Sequence, residues 1–129
     1  MGYRELTGFD VEEIEPGEAL GRITVTEDHL NRGGIMHGGA IATLCDSAMG
    51  RAVFTSVDPG LAGATASMTV TYLASASVGD EVVARAKVRR SGRTTVVVEA
   101  DVVRERDGKE IAHAISTFVV RPRRRPSSG

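Results

Sequence analysis

One segment governs what this chain can fold into. From about Gly39 to Phe54 the apolar residues Ile41, Leu44, Cys45, Ala48, Met49, Ala52 and Val53 recur at spacings of three and four, the period that lines one face of an α-helix. Small residues are frequent in the segment, so other elements can approach this helix closely. Asp58-Pro59-Gly60 breaks the pattern, and everything beyond reads as strand.

Ala64 to Ala74 is β-branched and alternating, with Met68, Val70 and Tyr72 on one side. Glu81 to Arg90 sets Val82, Ala84, Ala86 and Val88 against Val83, Arg85, Lys87 and Arg89. Thr94 to Arg106 and Ile111 to Val120 complete the series. The connections are short: Val78-Gly79-Asp80, Ser91-Gly92-Arg93, and Asp107-Gly108, the last a strong hairpin signal. Ahead of the helix, the turn Pro16-Gly17 leads into a strand from Leu20 to Thr26. Asp28 to Gly39 is then a loop holding Gly33, Gly34, Gly38 and Gly39. One strand, one long helix and four strands imply an α+β domain. The later strands should form an antiparallel meander wrapped around the helix. Open sheet edges invite a second chain, so a dimer or higher oligomer is expected. At 129 residues the chain is expected to be one domain, with its core over about 7–121 and a tail over 122–129.

Composition narrows the possible functions. Aromatics are 4% of residues, with no Trp, so small and β-branched side chains must fill the core. The lone Cys45 rules out an internal disulfide. Residues 1–14 carry Arg4, Glu5, Asp10, Glu12 and Glu13 and lack the apolar stretch of a signal peptide. No segment is apolar for long enough to span a membrane, and a soluble cytoplasmic protein is expected. Charge is uneven: residues 1–84 hold 4 Lys/Arg and 12 Asp/Glu, residues 85–129 hold 12 and 5. The run Arg121-Pro122-Arg123-Arg124-Arg125 could bind phosphates or nucleic acid, or be a solvated tail. It has no interleaved aromatics for stacking bases, and no nucleic-acid partner is expected.

The residues able to carry chemistry gather around the start of the helix. Gly38 and Gly39 lie where loop becomes helix. The first N–H groups of a helix lack internal partners and carry the positive end of its dipole. Glycine lets a ligand approach them, which suits a developing oxyanion, although a tight turn would also call for glycine. Asp46 interrupts an apolar stretch; it either faces water or is partly desolvated and able to act as base or nucleophile. His37 either orients a substrate or braces the loop. Asn31 and the hydroxyls of Thr65-Ala66-Ser67 complete the candidates. Cys45 reads as a buried thiol. His29 and His113 have no ligand spacing with His37, so no metal is expected. No nucleophile elbow, P-loop or dinucleotide fingerprint is present. Asp46 follows Gly38 by eight residues, about 12 Å along a helix. One carbonyl carbon cannot easily reach both within a single chain, so a site using both would take them from two subunits.

Asn31-Arg32-Gly33-Gly34-Ile35-Met36-His37-Gly38-Gly39 followed by Leu44-Cys45-Asp46 resembles the hotdog-fold acyl-CoA thioesterases, and among them the phenylacetate-degradation (PaaI-like) subfamily. The resemblance covers roughly Thr7 to Arg121. It extends through Met68 to Leu73, the Gly79-Asp80 turn and Ser116-Thr117-Phe118. It implies a hotdog fold and a homodimer with composite sites, usually assembled into a tetramer. It implies hydrolysis of acyl-CoA with no further cofactor. In that pattern Gly38 N–H polarises the thioester carbonyl, with Gly39 beside it. Asn31 helps to hold substrate or water, and His37 supports the loop. Asp46 of the opposing subunit is nucleophile or general base. Thr65 stands where a relative has a serine that positions the attacking water. Arg89, Arg90 and Arg93, with the arginines of the tail, are candidates for the phosphates of CoA. The rival readings are a hotdog hydratase or dehydratase, and a non-catalytic acyl-CoA-binding domain.

Overall fold

The computed structural model describes residues 2–123. A short helix α1 (Tyr3–Thr7) opens the chain, followed by β1 (Asp10–Glu15) and β2 (Glu18–Thr24). A single 3₁₀ turn, Glu27–His29, precedes the long helix α2 (Gly38–Ser56). Then come β3 (Leu61–Tyr72), β4 (Glu81–Ser91), β5 (Thr95–Arg104) and β6 (Lys109–Pro122).

The helix buries Ile41, Leu44, Cys45, Ala48, Met49, Ala52 and Val53, the face that its sequence period marks. Against it lie Ala19 and Ile23 of β2, Val82, Ala84 and Ala86 of β4, Val96, Val98, Ala100 and Val102 of β5, and Ala112, Ala114, Phe118 and Val120 of β6. Their alternation with exposed neighbours is the period of two that puts one face of a strand on the core. Two glycines permit the close approach. A β-carbon at Gly21 would meet Leu44 Cδ1 at 3.0 Å, and one at Gly63 would meet Val53 Cγ1 at 2.8 Å. The result is the hotdog arrangement, a six-stranded antiparallel sheet packed on one long helix.

The strand order is β1-β2-β4-β5-β6-β3, and it corrects the expected continuous meander. Of the four strands after α2, only β4, β5 and β6 are consecutive neighbours. The Val78-Gly79-Asp80 turn does not fold β3 back on β4, because β4 pairs with β2 while β3 crosses to the far side of β6. Asp80 C=O and Val25 N–H instead join this turn to the end of β2 at 2.9 Å. Two elements were missing from the sequence reading. α1 has a single turn, too short for a period, and β1 (DVEEIE) buries too little to alternate clearly.

β3 contains a bulge. Thr65 pairs with Phe118 and Ser67 with Thr117, leaving Ala66 unpaired. Bulges shift the parity of the side chains that follow. Gly63 and Thr65 therefore share the helix-facing side with Met68, Val70 and Tyr72, as their inward-facing partners Val120, Phe118, Ser116, Ala114 and Ala112 indicate.

Candidate active site

His37 caps α2. Its backbone is extended (φ −62°, ψ 135°), and its Nδ1 accepts from Gly39 N–H at 2.7 Å. A β-carbon on residue 39 would lie 2.9 Å from that nitrogen, which explains glycine there. His37 N–H is itself held by His29 C=O at 2.7 Å. Gly38 is the first helical residue, and its N–H has no acceptor among the described residues, as the first turn of a helix dictates. Asn31 braces the preceding loop: its Oδ1 accepts from Gly33 N–H at 2.8 Å and Ile35 N–H at 3.3 Å. The loop is pinned from outside by Met36 N–H, which donates to Ala76 C=O at 2.8 Å.

Asp46 sits two turns further along α2, half-buried. The bulge at Ala66 turns Thr65 toward it, and Thr65 Oγ1 donates to Asp46 Oδ1 at 2.7 Å. Neighbouring Cys45 is fully buried, and its thiol is pushed up to about 12, first by burial and then by the charge of Asp46. A thiol so disfavoured as thiolate is no nucleophile.

Within one chain these side chains form two separate clusters, one at His37-Gly38-Gly39 with Asn31 and one at Asp46 with Thr65. Arg89, Arg90 and Arg93 join neither. The end of β4 packs beside the far end of α2: Val88 N–H donates to Gly17 C=O at 2.8 Å, and Gly17 N–H to Thr55 Oγ1 at 3.1 Å. Arg123 lies at the same end, 4.7 Å over the Phe54 ring. Arg89 pairs with Glu99 at 3.1 Å. Arg124, Arg125 and the remainder of the tail lie outside the described residues. One group with ligand atoms within 4.8 Å of one another, Asp101, Glu110 and His113, lies on the face of the sheet turned away from α2; there Asp101 already holds His113 at 2.8 Å.

Three features escaped the sequence reading. Tyr72 hydroxyl donates to Gly38 C=O at 2.8 Å. α1 is tied down by Tyr3 to Thr43 at 2.8 Å and by His29 Nε2 to Thr7 C=O at 2.6 Å. Between α1 and the head of α2 a cavity of about 660 Å³ opens, lined by Tyr3, Leu6, His29, Leu30, His37 and Gly39 among others. Of these, only Tyr72 left a trace in the pattern, as a member of the helix-facing side of β3.

The model of the thioesterase superfamily matches residues 33–111, from the glycine loop to the start of β6. The chain belongs to that superfamily. Human acyl-coenzyme A thioesterase 13 is 32% identical over 102 residues, covering 79% of this chain and 72% of the relative. The acyl-coenzyme A thioesterase PaaI of Escherichia coli K12 is 31% identical, covering 76% and 68%. Among solved structures, zebrafish thioesterase superfamily member 2 superposes with a TM-score of 0.83 at 34% identity, covering 92% of this chain and 86% of that one. The smu.793 protein of Streptococcus mutans UA159, solved bound to acetyl CoA, gives 0.82 at 32% identity and 91% coverage of both. The chain is accordingly a thioester hydrolase by family. Among its described residues no helix is long and apolar enough to cross a membrane.

Proposed function

We propose that this thioesterase hydrolyses an acyl-CoA to the free acid and CoA, at sites completed by two copies of the chain. Attack on a thioester carbonyl moves negative charge onto its oxygen. A helix-start N–H without an internal acceptor, such as that of Gly38, stabilises that charge. The partner subunit's Asp46 either activates water or attacks the carbonyl carbon directly. The observation that carries this reading is the 2.7 Å bond from Thr65 to Asp46: it fixes one carboxylate oxygen and leaves the other for the reaction. The acyl-CoA thioesterases among its relatives and the acetyl CoA-bound neighbour support the substrate class. Arg90 and Arg93, at the basic end of the chain, are suited to the phosphates of CoA.

The choice of dimer contact follows from the sheet edges. β1 is lined by Asp10, Glu12, Glu13 and Glu15, and like charges on an edge oppose pairing with a second copy. β3 (LAGATASMTVTY) is the other edge and carries no charge. Pairing through β3 brings together the strands that carry Thr65 and Tyr72 in each copy.

The test is a panel of acyl-CoA esters read by released thiol. Asp46→Ala should lower kcat by about a thousandfold while the far-UV spectrum is kept, the scale expected when a reacting group is lost. Turnover surviving that change would refute the assignment.

A further inference from the structure

The helix-facing side of β3 carries one polar group that the proposed reaction leaves unused. Tyr72, the last residue of the strand, donates its hydroxyl hydrogen to Gly38 C=O at 2.8 Å. Its ring lies so close over Gly38 that a β-carbon there would sit 3.2 Å from the ring Cζ. The Gly38 carbonyl and the Gly39 N–H belong to the same peptide group, and that N–H donates to His37 Nδ1 at 2.7 Å. The Tyr72 hydroxyl, the Gly38–Gly39 peptide and the His37 ring therefore form one continuous chain of hydrogen bonds. A donor on the carbonyl polarises an amide and makes its N–H a better donor.

The consequence falls on His37. A neutral imidazole has one N–H and one lone-pair nitrogen. Because Nδ1 accepts from Gly39, the hydrogen resides on Nε2. Nε2 has no partner among the described residues, and His37 borders the cavity of about 660 Å³ beside α1. The Gly38–Gly39 peptide that caps His37 is thus also held from outside α2, by the last residue of β3.

We propose that Tyr72 is a positioning residue. Through the Gly38–Gly39 peptide it locks His37 as the Nε2–H tautomer, so that adjacent residues present two N–H donors, those of Gly38 and of the His37 ring, to the thioester. The kinetic half of this inference rests on the proposed thioesterase reaction; the tautomer half does not.

The experiment uses the full chain and Tyr72→Phe, which keeps the ring and removes only the hydroxyl. Imidazole ¹⁵N spectra are recorded at pH 8, above the ordinary histidine range, beside kinetics on acetyl-CoA and a longer acyl-CoA. The wild-type spectrum should show His37 with a bare Nδ1 and a protonated Nε2. Tyr72→Phe should give a mixture of tautomers and lower kcat about three- to tenfold, the scale of one hydrogen bond, at unchanged KM. An unaltered tautomer in the variant, a kcat within twofold of wild type, or an effect confined to KM would overturn the proposal. A tautomer locked in wild type and mixed in Tyr72→Phe, with no turnover of any acyl-CoA, would overturn the function of the previous section while upholding the coupling.

Discussion

Gly38 is glycine for two reasons that act on different atoms. Its missing β-carbon makes room for the Tyr72 ring, and its unencumbered N–H is the donor that the proposed chemistry needs. Substitution by alanine would confuse the two. Gly38→Pro separates them better, because it deletes the N–H at the first helical position, where proline is well accepted. The extended backbone of His37 (φ −62°, ψ 135°) is the conformation a residue before proline prefers. The Tyr72 ring, half exposed, has room to yield a few tenths of an ångström. Gly38→Pro should therefore keep its helical far-UV signal and lose about a hundredfold in kcat, the usual scale for one oxyanion donor. At this scale the sequence is legible where a residue contradicts its surroundings. Asp46 stands out because a carboxylate interrupts an apolar stretch of sequence, and Gly38-Gly39 because they lie where a loop becomes a helix. Tyr72 contradicts nothing, since an aromatic on a strand facing a helix is ordinary packing. Its hydroxyl acquires meaning only once Gly38 C=O is seen 2.8 Å away.

At the scale of elements, alternation reveals which residues of a strand share a face but not where a bulge reverses the parity. Thr65 and Tyr72 are seven apart, an odd number that assigns them to opposite faces of a regular strand. The unpaired Ala66 puts both on α2, one at Asp46 and one at Gly38. Strand order is hidden for a similar reason. Turn signals report that the chain reverses, whereas the partner of β4 is decided by β2, more than fifty residues upstream. The turn Val78-Gly79-Asp80, expected to join β3 to β4 in a meander, has a different task. Asp80, 7% exposed, accepts from Ser77 N–H at 2.9 Å and from Arg106 Nε at 2.7 Å. These bonds, led by the Ser77 amide, hold its carboxyl below the usual value of 3.8. A carboxyl depressed on folding contributes stability that is complete above its unfolded value and is lost as pH falls through the folded one. Stability should decline below about pH 4 as Asp80 takes up a proton, and Asp80→Asn should flatten that acid limb. Because the same segment offers Ala76 C=O to Met36 N–H, amide exchange at Met36 should quicken in the variant. An acid limb identical to wild type, followed by chemical denaturation from pH 5 to pH 2, would remove Asp80 from this role.

For the whole molecule, the decisive quantity is the separation of Gly38 and Asp46 on one rigid helix. Gly38 and Asp46 are eight residues apart in α2, about 12 Å at 1.5 Å per residue, and a packed helix cannot bend to close that gap. The proposed reaction therefore calls on a second chain for one of the two groups, and the uncharged edge β3 is the contact proposed for it. The separation was legible from helix geometry, because rise per residue is indifferent to tertiary context. The identity of the edge was not, since it required the strand order. The proposed composite site makes a quantitative demand on mixed assemblies. Asp46→Ala and Gly38→Pro chains should each be nearly inactive alone. If they are unfolded together and refolded in equal amounts, half of the dimers contain one of each. Every such dimer has one site in which both residues are mutated and one in which Gly38 and Asp46 are both native. Recovered activity should then approach about a quarter of wild type under two-fold symmetric pairing. Were both residues of a site drawn from the same chain, no mixed dimer would contain an intact pair, and activity would stay at the level of the parents. Titrating the mixing ratio sharpens the contrast, because the recovered rate should peak at equal proportions and vanish toward either pure variant.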